Sequence, residues 1–387
     1  MMYNFDEIIP RRGTDSLKWD MATDDAVLPL WVADMDFRTA APVVDALTKR
    51  AQHGIFGYSL FPNTYYAAID SWFSRRYGFS VQKEWILYAN SVVPSLNAIL
   101  RALTEPHDKV ILQSPVYNCF FTTIGLNGCE SVSNDLIYEN GRYSIDFDGL
   151  ERIAADPRAK VMLLCNPHNP AGRVWTKEEL TRVGEICLRN QVTVVSDEIH
   201  CDIVFPEHRH IPFASLSKDF LLHSVTCTSP SKTFNLAGVH VANTFVADAE
   251  LRMKVDKAFR QNGIAEANAF AIDGLIAAYN EGEDWLEQLL TYLYDNYLAL
   301  TDFFGKNFPQ LHVLPLEATY LVWVDCSALQ RSAAELSQLL LEKAKVRLNQ
   351  GLMYGKNGDN FLRINIACPR AVLMEALNRL RNCLLPL

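Results

Sequence analysis

The stretch "TCTSPSKTFNLAGVHVAN", Thr226 to Asn243, carries one lysine, Lys232, and no acidic residue among small and apolar side chains. Lysine is seldom buried, because removing water from its ammonium carries a large cost. Two readings compete. In the ordinary one, Lys232 stands at a strand end and its amine reaches water. In the other it is buried for chemistry, with its pKa lowered so that the amine can attack a carbonyl. The neighbouring segments decide between them.

Short β-branched runs alternate with helical patterns on both sides of this stretch. "KVILQSP" (109–115), "KVMLLCNP" (160–167), "VTVVSDEI" (192–199), "LLHSVTCTS" (221–229) and "VANTFVA" (241–247) are apolar and mostly unalternating. Strands buried on both faces of a sheet read this way. Between them lie amphipathic segments such as "TKEELTRVGEICLRN" (176–190), where Thr176 and Glu179 make a capping box. The expected fold class is α/β, a mostly parallel sheet flanked by helices. The C-terminal part differs: a long helix over about 283–306, then "TYLVWVDC" and "FLRINIA" separated by "SAAELSQLLLEKAK", predict a smaller α+β domain. The expected division is an N-terminal arm and part of the small domain (1–50), a large domain (51–284) and a small C-terminal domain (285–387).

A chain of 387 residues, 49% hydrophobic and 21% charged, can bury a large core. Its net charge of −9, with no basic block, argues against a nucleic-acid or anionic-membrane surface. No apolar run approaches the roughly eighteen residues of a membrane span. Nine scattered cysteines without a C-x-x-C pair, behind an N-terminus with no signal-peptide pattern, point to reduced thiols in a cytoplasmic enzyme. His200, His208 and His210 in "HCDIVFPEHRH" have a spacing that fits no standard zinc pattern.

Ligands of open α/β sheets bind beyond the C-terminal ends of the strands. Asp197 and Glu198 close one strand, Asn166 and Asn169 follow another in "NPHNPAG", and Ser229 and Lys232 follow a third. A carboxylate, a carboxamide and a lysine converging on one crevice are the parts of a pyridoxal 5′-phosphate site. The lysine forms a Schiff base, the carboxylate holds the pyridinium nitrogen charged and the amide bonds the ring hydroxyl.

With "NPHNPAG", "SDEIH", "SPSKTFNLAG" and "FLRINIACP", and with Asn169, Asp197 and Lys232 spaced by 28 and 35 residues, the chain resembles the class I/II aminotransferase family of fold-type I pyridoxal-phosphate enzymes over nearly its full length. Within that family, "WVADMDF", "FGYS", "DEIH" and "RINIACPR" are similar to the cystathionine β-lyase branch, the PatB- and MalY-like C–S lyases. The resemblance implies that Lys232 holds the cofactor and then serves as base at Cα. Asp197 pairs with the ring nitrogen (otherwise a strand-end cap), and Asn169 with the ring oxygen (otherwise an Asx-turn). Tyr117 stacks on the ring. Backbone amides at Ser91, Val92 and Val93, entering a helix with Pro94 near its first turn, and the Ser229 hydroxyl bind the phosphate. Tyr58 reaches the site of a neighbouring subunit, which implies a homodimer with shared active sites. Arg363 clamps the substrate carboxylate, where otherwise it makes a surface salt bridge.

Two positions depart from the family pattern. His240 stands where an arginine usually neutralises the phosphate, and His200 where a tyrosine usually bonds the ring oxygen. The first departure favours the lyase branch. The expected activity is β-elimination of L-cystathionine or related S-conjugates to a thiol, pyruvate and ammonia. An aminotransferase on the same scaffold is one alternative. A regulatory role, in which the surface binds a transcription factor, is another.

Overall fold

The computed structural model describes residues 2–22 and 24–384. Its central sheet has seven strands: β1 (Ile86–Ala89), β2 (Lys109–Leu112), β3 (Glu130–Ser133), β4 (Ala159–Cys165), β5 (Thr193–Asp197), β6 (Ser224–Thr228) and β7 (Ala242–Phe245). Their order is β3-β2-β4-β5-β6-β7-β1. Neighbours are parallel except β7, which runs antiparallel to both β6 and β1. The α/β class is as the sequence implies.

The unalternating strand composition has a direct cause. On β4, Val161, Leu163 and Cys165 enter one hydrophobic core and Met162 and Leu164 the core on the opposite face. On β5, Val195 and Val194 divide in the same way. A strand covered by helices on both sides needs apolar residues at every position. The five strands expected from composition are present with their ends trimmed. The other two, β1 and β3, lie at the sheet edges, and β3 exposes Glu130 and Ser131.

Helices α1 (Asn63–Tyr77), α2 (Val92–Leu103), α3 (Cys119–Leu126) and α4 (Lys177–Arg189) lie along the first half of the chain, and α2 and α4 begin where the sequence places a helix entry at Ser91–Pro94 and a capping box at Thr176. In α4, Thr176 accepts from Glu179 N and Glu179 accepts from Thr176 N, so both halves of the capping box are formed. Its buried residues are Leu180, Val183, Gly184, Ile186 and Cys187, at helical spacing. Gly184 is required there: a Cβ would lie 2.5 Å from the Phe220 ring.

Beyond a four-residue helical turn, α5 (Pro230–Thr233), the chain runs through β7 to the long helix α6 (Glu283–Asn307). A second, antiparallel sheet follows: β8 (His312–Val313), β9 (Leu321–Asp325), β10 (Asn349–Gln350) and β11 (Phe361–Asn365), in the order β8-β9-β11-β10. The N-terminal segment joins this part of the molecule, since Leu28 and Pro29 pair in parallel with Val346 and Arg347.

Candidate active site

Strand register brings the polar strand ends together. Asp197, the last residue of β5, lies in register with Cys165 of β4 and Cys227 of β6. Asn169 follows β4 by four residues and Lys232 follows β6 by four. All three line a cavity of about 440 Å³, together with Ser91, Val92, Val93, Tyr117, His200 and Arg363.

The Lys232 amine donates to the Ala33 carbonyl at 2.7 Å. Its pKa is lowered to about 8, because burial disfavours the ammonium; Arg363 adds to this, while Asp34 and Asp197 oppose it. Asp197 is 4% exposed, and burial raises its pKa to about 7 against the opposing Ile199 amide and Lys232. Desolvation therefore outweighs the attraction between these two groups on both sides. His200 is held well below the usual imidazole range by burial, with Lys232 and Arg363 adding to it, so it is a neutral ring.

Arg363 projects from β11 of the second sheet. Its Nη1 donates to Asn169 Oδ1 at 3.1 Å, its Nη2 to the Trp31 carbonyl at 2.8 Å, and its guanidinium lies 5.0 Å from the Tyr354 ring centroid. Three polar atoms of cavity residues have no partner among the described residues: Arg363 Nε, His200 Nδ1 and Asn90 Oδ1. Buried polar atoms are nearly always paired. These three, a buried carboxylate held near neutrality and the start of α2 fit a polar, anionic ring ligand such as pyridoxal 5′-phosphate.

Two expected site residues lie elsewhere in this chain. Ser229 caps α5: its hydroxyl donates to the Val241 carbonyl at 2.6 Å and accepts from Ser231 N at 3.0 Å. Of the two serines in this turn, the one on the cavity wall is Ser231. Tyr58 is fully exposed at 102%, on a segment that also exposes Ile55, Phe56 and Leu60. His240 does line the cavity, with a left-handed backbone at φ 59°.

The largest contribution that residue-by-residue reading missed is the segment 31–37. Arg363 and Asn349 donate to the Trp31 carbonyl, Asn365 to those of Val32 and Asp34, and Tyr320 joins Lys232 on Ala33. Asn235 donates to the carbonyls of Met35 and Phe37. Lys18, 1% exposed, donates to Asp36 Oδ2 at 2.8 Å, and Arg11 bridges Asp34 and Asp36. These buried and half-buried charges explain the acids of "WVADMDF": they tie down an irregular segment whose first three residues, Trp31, Val32 and Ala33, line the cavity wall. Asn118, Cys119, Met353 and Tyr354 complete that wall. The signal for the segment was the motif itself, two acids among aromatic residues.

The family model for aminotransferase class I and II matches residues 26–380. The chain is 42% identical to cystathionine beta-lyase PatB of Bacillus subtilis over 98% of this chain and 100% of that protein. It is 34% identical to protein MalY of Escherichia coli, covering 99% of both. A PLP-bound C–S lyase from Staphylococcus hominis superposes with a TM-score of 0.94 at 34% identity, over 99% of this chain and 98% of that one. With a sheet whose strand ends gather a lysine, a carboxylate and a carboxamide, with an arginine reaching them from the second sheet, and with these full-length matches, the chain belongs to the class I and II aminotransferase family, in the branch of PatB and MalY.

Proposed function

We propose that the protein is a pyridoxal-phosphate-dependent carbon–sulfur β-lyase that releases a thiol, pyruvate and ammonia from L-cystathionine and related S-conjugates. The observation that carries this reading is the convergence of Lys232, Asp197 and Arg363 on one cavity in a chain that matches a cystathionine β-lyase end to end.

When bound, the cofactor supplies an electron sink for the charge left at Cα. The residues do the rest. Lys232, with an amine that titrates near 8, anchors the cofactor and then takes the Cα proton. Asp197 pairs with the ring nitrogen, and its cost of burial as an anion is offset by that cation. Asn169 would bond the ring oxygen and Tyr117 would stack on the ring, with His200 a neutral ring on the same cavity wall. The amides of Ser91, Val92 and Val93 and the hydroxyl of Ser231 hold the phosphate, with Ser229 fixing the Ser231 turn. Arg363 binds the substrate carboxylate in a bidentate fork, which a lysine cannot do. Held by its carboxylate, the substrate presents its Cβ–S bond for departure once the proton at Cα is gone.

A homodimer completes the site. Ile55, Phe56, Tyr58 and Leu60 are exposed together, and such a patch on a single chain marks a contact surface. In the dimer, Tyr58 of one protomer reaches the phosphate end of the cavity in the other. On this reading residues 51–284 carry the cofactor, while 1–50 and 285–387 close over it. Nine free thiols and no disulfide among the described residues fit a cytoplasmic enzyme. No helix of the described residues is long and apolar enough to cross a membrane.

The test is product release from L-cystathionine without any keto acid. Equal amounts of homocysteine and pyruvate are expected. If release requires 2-oxoglutarate and glutamate accumulates, the protein is an aminotransferase.

A further inference from the structure

Two thiols line the cavity, and they differ in burial. Cys165 is 5% exposed; its sulfur accepts from Asn169 N at 3.3 Å and lies 3.4 Å from the Pro167 carbonyl. Burial, with Asp197 adding to it, pushes its pKa well above the usual thiol range, which leaves it inert. Cys119 opens α3, is half-buried, and is a free thiol on the cavity wall. It shares that wall with Tyr117, Lys232 and Tyr354. The same cavity holds Arg363, 3% exposed, whose Nε has no partner among the described residues. A carboxylate docked there stands in the same small space as the Cys119 thiol.

We propose that Cys119 is a thiol–disulfide exchange site for amino-acid disulfides, of which cystine is the simplest. The inference rests on the reading of Arg363 as the carboxylate holder. Docking by one carboxylate brings the ligand's S–S bond, three bonds from its Cα, to the cavity wall. The Cys119 thiolate attacks one sulfur, a new S–S bond to Cys119 forms and the ligand's own S–S bond breaks. The other half leaves as a thiolate and takes up the proton that Cys119 released. The ligand brings the oxidising equivalent, so no further reagent is needed. The half left on Cys119 occupies the substrate space beside Lys232 and stops turnover. A free thiol reverses the exchange, and thiol released at sites still unblocked can clear the blocked ones.

The experiment treats holoenzyme and the Lys232→Ala variant with L-cystine, or with cystamine, a disulfide that lacks carboxylates. Modified peptides are then mapped by mass spectrometry without reductant. Cysteinylation is expected on the Cys119 peptide and not on Cys165, about tenfold faster with cystine than the corresponding adduct forms with cystamine. Holoenzyme activity falls in step and returns with added thiol. Cys119→Ser, compared with its own starting activity, escapes the loss. Equal rates for the two disulfides overturn the proposal, as does labelling at Cys129 or Cys383 while Cys119 stays free. Activity loss that persists in Cys119→Ser overturns it too. Labelling of Lys232→Ala needs no turnover, so it stands or falls apart from pyruvate release by the untreated enzyme, which tests the lyase reading.

Discussion

Arg363 of the second sheet donates to Asn169 Oδ1 of the loop beyond β4 at 3.1 Å, so a hydrogen bond joins the carboxylate-binding candidate directly to the ring-binding one. The guanidinium is thereby aimed before any substrate arrives, with its Nε left without a partner among the described residues. Arg363→Lys keeps the charge but loses the fork. A charge-assisted hydrogen bond contributes about 1.5–3 kcal/mol, so kcat/KM for cystathionine should fall about 10- to 150-fold. Most of the loss should appear in KM. Steady-state kinetics check this, and unchanged KM would place the carboxylate elsewhere.

The Lys232 amine titrates at about 8 because its environment is dry. Only the neutral amine attacks an aldehyde. The rate at which apoenzyme takes up pyridoxal 5′-phosphate should therefore rise with pH and level off just above 8. Stopped-flow absorbance follows it directly. A rate still climbing toward the 10.5 of an ordinary lysine would show that the amine is solvated. Lys232→Ala should lose turnover entirely, and borohydride should no longer fix the cofactor to the chain.

Asp197 sets a pH dependence on the apoenzyme. Its folded pKa, about 7, lies above the usual 3.8, so the folded state prefers the protonated form. Stability associated with that proton is complete below about pH 4 and is lost as pH rises to about 7, at roughly 1.4 kcal/mol for each pH unit crossed between those values. Asp197→Asn removes the effect. The melting temperature of apo Asp197→Asn minus that of apo wild type should grow between pH 4 and 7 and then stay flat. A difference that does not change with pH defeats the assignment.

Tyr58 gives a test of the shared site. Tyr58→Phe and Lys232→Ala dimers should each be impaired, and mixing them should restore activity through hybrids with one intact site. If labelled subunits exchange and no activity returns, Tyr58 works within its own chain or not at all.

Asp202 lies behind the lysine turn. It accepts from Thr233 Oγ1 at 2.7 Å, Trp72 Nε1 at 3.0 Å and the Tyr77 hydroxyl, with Arg76 3.7 Å away. Asp202→Ala strands those donors inside the protein and should cost about 3–5 kcal/mol of stability. Urea denaturation measures it. A loss under about 1 kcal/mol would mean that water or a neighbour replaces the carboxylate.

Much of this protein is determined by its sequence alone. The five inner strands, helix α4 with its Thr176–Glu179 capping box and the lysine, carboxylate and amide at successive strand ends are local features. Each follows from side-chain chemistry over a few residues, so each can be read without knowing what packs where. Only the tertiary structure decided the remainder. Edge strand β3 carries little apolar signal, because half of it faces water. Ser229 and Ser231 have the same chemistry, and only the folded α5 turn shows that the Ser229 hydroxyl serves as its cap while Ser231 lines the cavity. Segment 31–37, whose residues Trp31, Val32 and Ala33 line the cavity, is held by Asn235, Tyr320, Asn349, Arg363 and Asn365, up to 333 positions away in the chain. Such bonds are set by the closing of one sheet over another, and no local pattern encodes them.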